Sequence, residues 1–161
     1  MVSPTETPED WPDIAGRIVP AADGSPAHVL PVRVYFEDTD FSGVVYHATY
    51  LRWCERGRSD FLRLLGNDHD ALITGGDGRA PAAFMVRRME LDFKAPARID
   101  DVLTVHTAPA SIGAATIDLQ QTVSRAGRAL FTARVQVVLV SLEGKPMRIN
   151  TGLRTAFAPG E

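Results

Sequence analysis

The sequence predicts an α+β domain in which one long helix packs against an antiparallel sheet. Two observations carry this. One stretch of helical period, over residues 47–65, is followed by stretches of alternating or β-branched character. Those later stretches are joined mainly by tight turns, such as Ser124-Arg125-Ala126-Gly127-Arg128, which suit neighbouring antiparallel strands. A helix of that length spans roughly 28 Å, about the width of such a sheet. One amphipathic helix on one sheet face is then the economical arrangement.

Residues 1–27 hold five of the eleven prolines and little periodicity. They read as a flexible extension, with Trp11, Ile14 and Ile18 available to dock part of it. The domain is expected over residues 28–155, with a short tail at 156–161. Residues 28–36 (HVLPVRVYF) form a first strand, and a polar loop with Gly43 follows. In the helix, Tyr50, Cys54, Gly57, Phe61 and Leu64 recur at spacings of four and three and share one face. Gly57 costs a helix about 1 kcal/mol relative to alanine, so another backbone should approach closely there. Residues 66–81 form a Gly- and Asp-rich loop. Met85, Arg87, Met89, Leu91 and Phe93 then share one face of a strand, with Val86, Arg88, Glu90 and Asp92 on the other, until Pro96 breaks the run. Strands at 102–111, 116–124 and 129–141 follow, and a short last one at 147–149. In the longest, Phe131, Ala133, Val135, Val137 and Leu139 face one way, Val138 and Val140 the other; burial on both sides is expected.

Composition narrows the function. A net charge of -3 and a pI near 5.8 argue against a nucleic-acid partner, which needs a basic surface. No run approaches the ~18 apolar residues of a membrane span, and the start lacks a secretion signal's basic and apolar parts. The lone cysteine, Cys54, allows no internal disulfide and suits a reducing compartment, so a cytoplasmic protein is expected. With no cysteine pair or HExxH, a metal is not implied. Gly75-Gly76-Asp77-Gly78 lacks the lysine and serine of a phosphate-binding loop.

The run Val34-Tyr35-Phe36-Glu37-Asp38-Thr39-Asp40, then Gly43-Val44-Val45-Tyr46-His47, Tyr50 and Glu55-Arg56, resembles the signature of the 4-hydroxybenzoyl-CoA thioesterase family. The nearest branch is the one associated with the Tol-Pal system of bacterial envelopes. Residues 84–93, followed by Ala95-Pro96-Ala97-Arg98 and Asp100-Asp101, agree at the corresponding place. The resemblance covers about residues 28–148 and implies the hotdog fold: a long helix wrapped by a curved antiparallel sheet. It also implies hydrolysis of an acyl-CoA thioester without a cofactor, coenzyme A being part of the substrate.

Thioester hydrolysis needs a nucleophile or general base near the carbonyl carbon and donors for the developing oxyanion. Asp40, in the loop before the helix, is the residue the resemblance makes catalytic, as base or as nucleophile; Asp38 ranks second, as an orienting or structural group. His47 lies at the helix start, where free N–H groups and the positive dipole end suit an oxyanion. The resemblance assigns that role to its backbone N–H. Tyr46 lines the acyl site or packs beside it. Gly43 is expected to supply a positive φ or a close backbone approach, and Val45 is placed with it at the substrate. The coenzyme A phosphates need basic partners, and Arg87, Arg88, Lys145 and Arg148 are the candidates; the turn Ser111-Ile112-Gly113-Ala114-Ala115 departs from relatives in lacking a basic residue.

Two other readings compete. A hotdog enoyl-CoA hydratase shares fold and ligand, but its usual Asp then Asn-Pro and His is replaced here by Asp40-Phe41-Ser42-Gly43, with His47 seven positions on. A non-catalytic module binding acyl carriers or an envelope partner is weakened by the retained Asp40. An acyl carrier protein remains an alternative substrate carrier. A lone sheet leaves an unpaired edge, and the resemblance implies subunits joined edge to edge, so a homodimer or homotetramer is expected.

Overall fold

The computed structural model describes residues 16–159. Six strands form one antiparallel sheet: β1 (Arg17–Pro20), β2 (Pro26–Arg33), β3 (Ala82–Phe93), β4 (Val102–Ile112), β5 (Thr116–Arg125) and β6 (Arg128–Ser141), in the order β1-β2-β4-β5-β6-β3. The long helix α1 (His47–Leu64) lies on one face; α2 (His69–Thr74) and α3 (Thr151–Ala156) are short. This is the hotdog arrangement.

The helical period seats α1. Tyr50, Cys54, Gly57 and Phe61 are buried, as their spacing requires, and Trp53 and Leu62 join them. They pack on alternate residues of the sheet, including Leu103, Val105, Ile117, Leu119 and the β6 row Phe131, Ala133, Val135, Val137 and Leu139. Burying a side chain of that size stabilises the fold by about 1.5–3 kcal/mol. At Gly57 the helix meets side chains and not the expected backbone: an added Cβ would lie 3.1 Å from Thr107 Oγ1 and 3.2 Å from Val105 Cγ1. There the fully buried Gln121 donates from Nε2 to the Cys54 carbonyl (2.9 Å) and to Thr107 Oγ1 (2.8 Å), and its Oε1 accepts from Arg58 (2.8 Å).

Several boundaries differ from expectation. The sheet begins before residue 28: β1 pairs with β2, Ile18 opposite His28. Asp60 of α1 holds this edge, accepting from Gly16 N (2.7 Å) and bonding the buried His28 Nε2 (2.6 Å). Trp11 and Ile14 lie outside the described residues. The first strand stops at Arg33, because Asp38 Oδ2 accepts from Tyr35 N (2.8 Å) and draws Phe36–Asp38 into a 3-10 turn. The 66–81 loop contains α2, started by Asp68 accepting from Ala71 N. The expected strand at 147–149 is absent; Asn150 caps α3 there. Phe157, placed in the tail, is buried against Phe61.

The facing of β3 is also corrected. Val86 pairs with Val137 and Arg88 with Gln136, so Arg87 is an extra residue that reverses the alternation. Phe84 and Val86 therefore share the helix side with Met89, Leu91 and Phe93, opposite the inward residues of β6, while Met85 and Arg87 leave it. On β6, Val140 is 5% exposed and Val138 is half-buried. The chain's own return, bridging Val140 to Pro146, runs beside Val140.

Candidate active site

The loop between β2 and α1 is a tight turn built from its own backbone. Asp40 N donates to the Val44 carbonyl and Gly43 N to the Asp40 carbonyl, each at 3.0 Å. Gly43 sits at φ 79°, the left-handed conformation expected of it. The returning chain is pinned on both sides: Thr39 bridges Val45, and Val44 bridges Arg98. Val45 N donates to the Ala97 carbonyl (2.9 Å), and Ala97 N donates in turn to the Tyr50 hydroxyl (3.1 Å). A buried tyrosine on α1 thus fixes the loop that carries Asp40.

The turn presents Asp40 beside the start of α1. Its Oδ1 accepts from Ser42 N (2.8 Å) and from Ser42 Oγ, while Oδ2 takes no hydrogen bond from the described residues. The Ser42 hydroxyl first, then the Ser42 N–H, hold the Asp40 carboxyl below its ordinary 3.8, and the nearby His47 adds to this. The carboxylate is therefore ionised at neutral pH with one oxygen open. Behind it, the N-terminus of α1 has no side-chain cap. The N–H groups of His47 and Ala48 belong to the first turn, which has no intrahelical acceptors. Tyr46 N donates to the Asp38 carbonyl (2.8 Å), so Asp38 is structural through its side chain and its backbone. Phe36, Thr39, Asp40, Phe41, Gly43 and Ile99 line an open depression of about 460 Å³.

Of the residues singled out from sequence, Asp40 and Gly43 line the depression, while Tyr46 and His47 lie at the start of α1 outside its lining, His47 near enough to lower the Asp40 carboxyl. The Tyr46 and His47 rings are 4.5 Å apart, and His47 lies 6.5 Å from Phe93 at the end of β3. Val45 is buried in the core and does not line the depression. Neither do Arg87, Arg88, Lys145 and Arg148. Arg88 pairs with Glu90 (2.6 Å), Arg87 donates to Gln136 (3.3 Å), and Arg148 borders a separate cavity next to α2. Sequence reasoning missed Ser42, although Asp-x-Ser is the pattern by which an aspartate bonds the backbone two residues on. It also missed Phe41 and Ile99, exposed apolar residues without periodicity. Cys54 offers no alternative nucleophile: burial pushes its thiol up to about 12.

Residues 42–132 match the family model described as the thioesterase superfamily. The chain belongs to the thioesterase superfamily. The match includes His47, β3, β4, β5 and the first residues of β6, and begins just past Asp40. Among curated relatives of this thioesterase, the acyl-CoA thioesterase YbgC of Haemophilus influenzae is 38% identical over 129 residues, covering 80% of this chain and 92% of that protein. The acyl-CoA thioester hydrolase YbgC of Escherichia coli O6:H1 is 39% identical over 129 residues, covering 79% and 92%. A solved probable thioesterase from Bartonella henselae superposes with a TM-score of 0.74 at 44% identity, covering 77% of this chain and 99% of that one.

Proposed function

We propose that this thioesterase hydrolyses acyl-CoA thioesters, with Asp40 as the catalytic carboxylate and the His47 N–H as an oxyanion donor. The observation that carries the reading is one ionised carboxylate with an open oxygen, held beside an uncapped helix N-terminus. In the base route, Asp40 Oδ2 accepts a proton from water as the water oxygen bonds the carbonyl carbon. The tetrahedral oxyanion lies against the helix N-terminus. Its collapse expels the coenzyme A thiolate, which recovers the proton from Asp40. In the nucleophilic route, Oδ2 attacks the carbon directly and the coenzyme A thiolate leaves; water then cleaves the mixed anhydride, its hydroxyl going to the acyl carbon, its proton to the thiolate, and Asp40 returning as the carboxylate. Both routes begin from the ionised carboxylate and use no cofactor. The acyl-CoA names of the two YbgC relatives favour coenzyme A over an acyl carrier protein as the carrier.

The reading includes a homodimer. β3 is a sheet edge of twelve residues whose helix side carries Val86, Leu91 and Phe93, 47%, 38% and 49% exposed. Antiparallel pairing of two β3 edges satisfies their free N–H and C=O groups and covers these side chains. Tol-Pal association and a cytoplasmic site belong to the same proposal; no helix among the described residues is long and apolar enough to cross a membrane. Thiol release from a panel of acyl-CoAs tests it. Hydrolysis above the uncatalysed rate is expected, and no release with any member contradicts the proposal.

A further inference from the structure

The connection from β3 to β4 reaches the Asp40 loop from the other side. It turns over residues 98–101, where Asp101 N donates to the Arg98 carbonyl (3.2 Å). Asp100, third in that turn, sits at φ 67° while Ile99 before it does not have a positive φ. This is the type II arrangement, which favours glycine at the third place. An aspartate persists there only where its surroundings hold it. Val34 N donates to the Asp101 carbonyl (2.9 Å), Asp100 N to the Val34 carbonyl (3.0 Å), and Arg33 Nη1 to the Asp100 carbonyl (3.1 Å). The Asp101 carboxylate closes the turn: its Oδ2 accepts from Arg98 N (2.9 Å) and from Arg125 Nη1 at the end of β5 (2.6 Å). Burial works to raise this carboxyl, but the Arg98 N–H and then the Arg125 guanidinium hold it below its ordinary 3.8. The pair is therefore charged at neutral pH.

The held turn acts on the site in two ways. Arg98 bridges Val44, and the Val44 carbonyl accepts from Asp40 N (3.0 Å), so a shift of the turn reaches Asp40 through one hydrogen bond. The neighbouring Ala97 carbonyl accepts from Val45 N (2.9 Å), and Ile99 lines the Asp40 depression. Arg125 itself is not part of that lining.

We propose that Arg125 is a positioning residue for the hydrolysis: through Asp101 it holds the 98–101 turn, and the turn sets where Asp40 and Ile99 stand at the substrate. The inference rests on the thioesterase reading of Asp40 and adds to it a residue that does not touch the depression. A part-exposed ion pair contributes little to stability, so the fold should survive its loss while the geometry of the site does not.

Steady-state kinetics of Arg125→Met, Asp101→Asn and the double variant test it, with hydrogen exchange at the Val45 and Ala97 amides as a second reading. On the wild type's best acyl-CoA, Arg125→Met should lower kcat at least about tenfold, since misplacing a reacting group by about an ångström costs up to about a hundredfold. The Val45 and Ala97 amides, which bond across the contact, should exchange faster. Because Arg125 acts through Asp101, the double variant should lose less than about threefold beyond the worse single one. Circular dichroism identifies a variant that fails to fold; Asp101→Asn then decides by the same kcat and exchange readings. A folded variant with wild-type kcat, unchanged exchange at both amides, or losses that multiply in the double variant overturns the positioning role while hydrolysis stands. No thiol release by the wild type from any acyl-CoA sinks the thioesterase reading and this inference together.

Discussion

Asp40 is made by its neighbours. Two hydrogen bonds from Ser42 occupy one carboxylate oxygen and keep the group charged. A depressed carboxyl stays ionised until the pH falls through its own lowered value. The acid limb of kcat/KM, which reports the free enzyme, should therefore lie below pH 3.8, the ordinary carboxyl value. Ser42→Ala removes the hydroxyl bond and should move that limb to higher pH. An unmoved limb means another group sets it. The same sign holds for stability: whatever the ionised Asp40 contributes is present above its unfolded pKa and is lost as pH falls through the folded one. On the proposed role of the His47 backbone N–H, His47→Ala should retain more activity than Asp40→Asn. Equal collapse of both, with the fold intact, would instead make the imidazole essential.

At the scale of elements, α1 is placed by what it lacks. Gly57 lets the helix settle onto Thr107, Val105 and Gln121, where an added Cβ is already tight at 3.1 Å. Gly57→Val should destabilise the fold by about 1–3 kcal/mol through overpacking, read as a lower denaturant midpoint; an unchanged midpoint would mean the helix lifts without cost. The element was legible because burial of one face imposes its period on the sequence, and β6 was legible by its alternation. The turn at 40–43 and its glycine were also readable, since Gly43 needs a positive φ. The bulge at Arg87 was not. One inserted residue reverses every later side chain on β3, and nothing in MVRRMEL distinguishes it from regular alternation. α2 and α3 run six residues each, too short for a period, and only their capping Asp68 and Asn150 announce them. The site's second layer, Ser42 and the Tyr50–Ala97 contact, depends on contacts that spacing does not encode, although Asp-x-Ser carried a local signal. Of the arginines put forward for coenzyme A by charge alone, Arg87 donates to Gln136 and Arg88 pairs with Glu90, both outside the Asp40 depression.

For the whole molecule, the described chain carries a twelve-residue sheet edge with exposed Val86, Leu91 and Phe93 and an Asp40 depression open to solvent. The proposed second copy, paired along β3, would cover that edge. Light scattering at assay concentration should give at least the mass of a dimer; a fully active monomer would contradict the dimer. Val140 of the two-sided β6 is bridged by the chain's own turn back at Pro146, so its burial does not by itself require a second copy. The proposed hydrolysis depends on the Asp40 carboxylate. Thiol release by Asp40→Asn, compared with the wild type on its preferred acyl-CoA and with matched circular dichroism, tests it most directly. Turnover should fall by at least about a hundredfold, the lower end of an acid–base contribution; a folded Asp40→Asn that turns over like the wild type would contradict it.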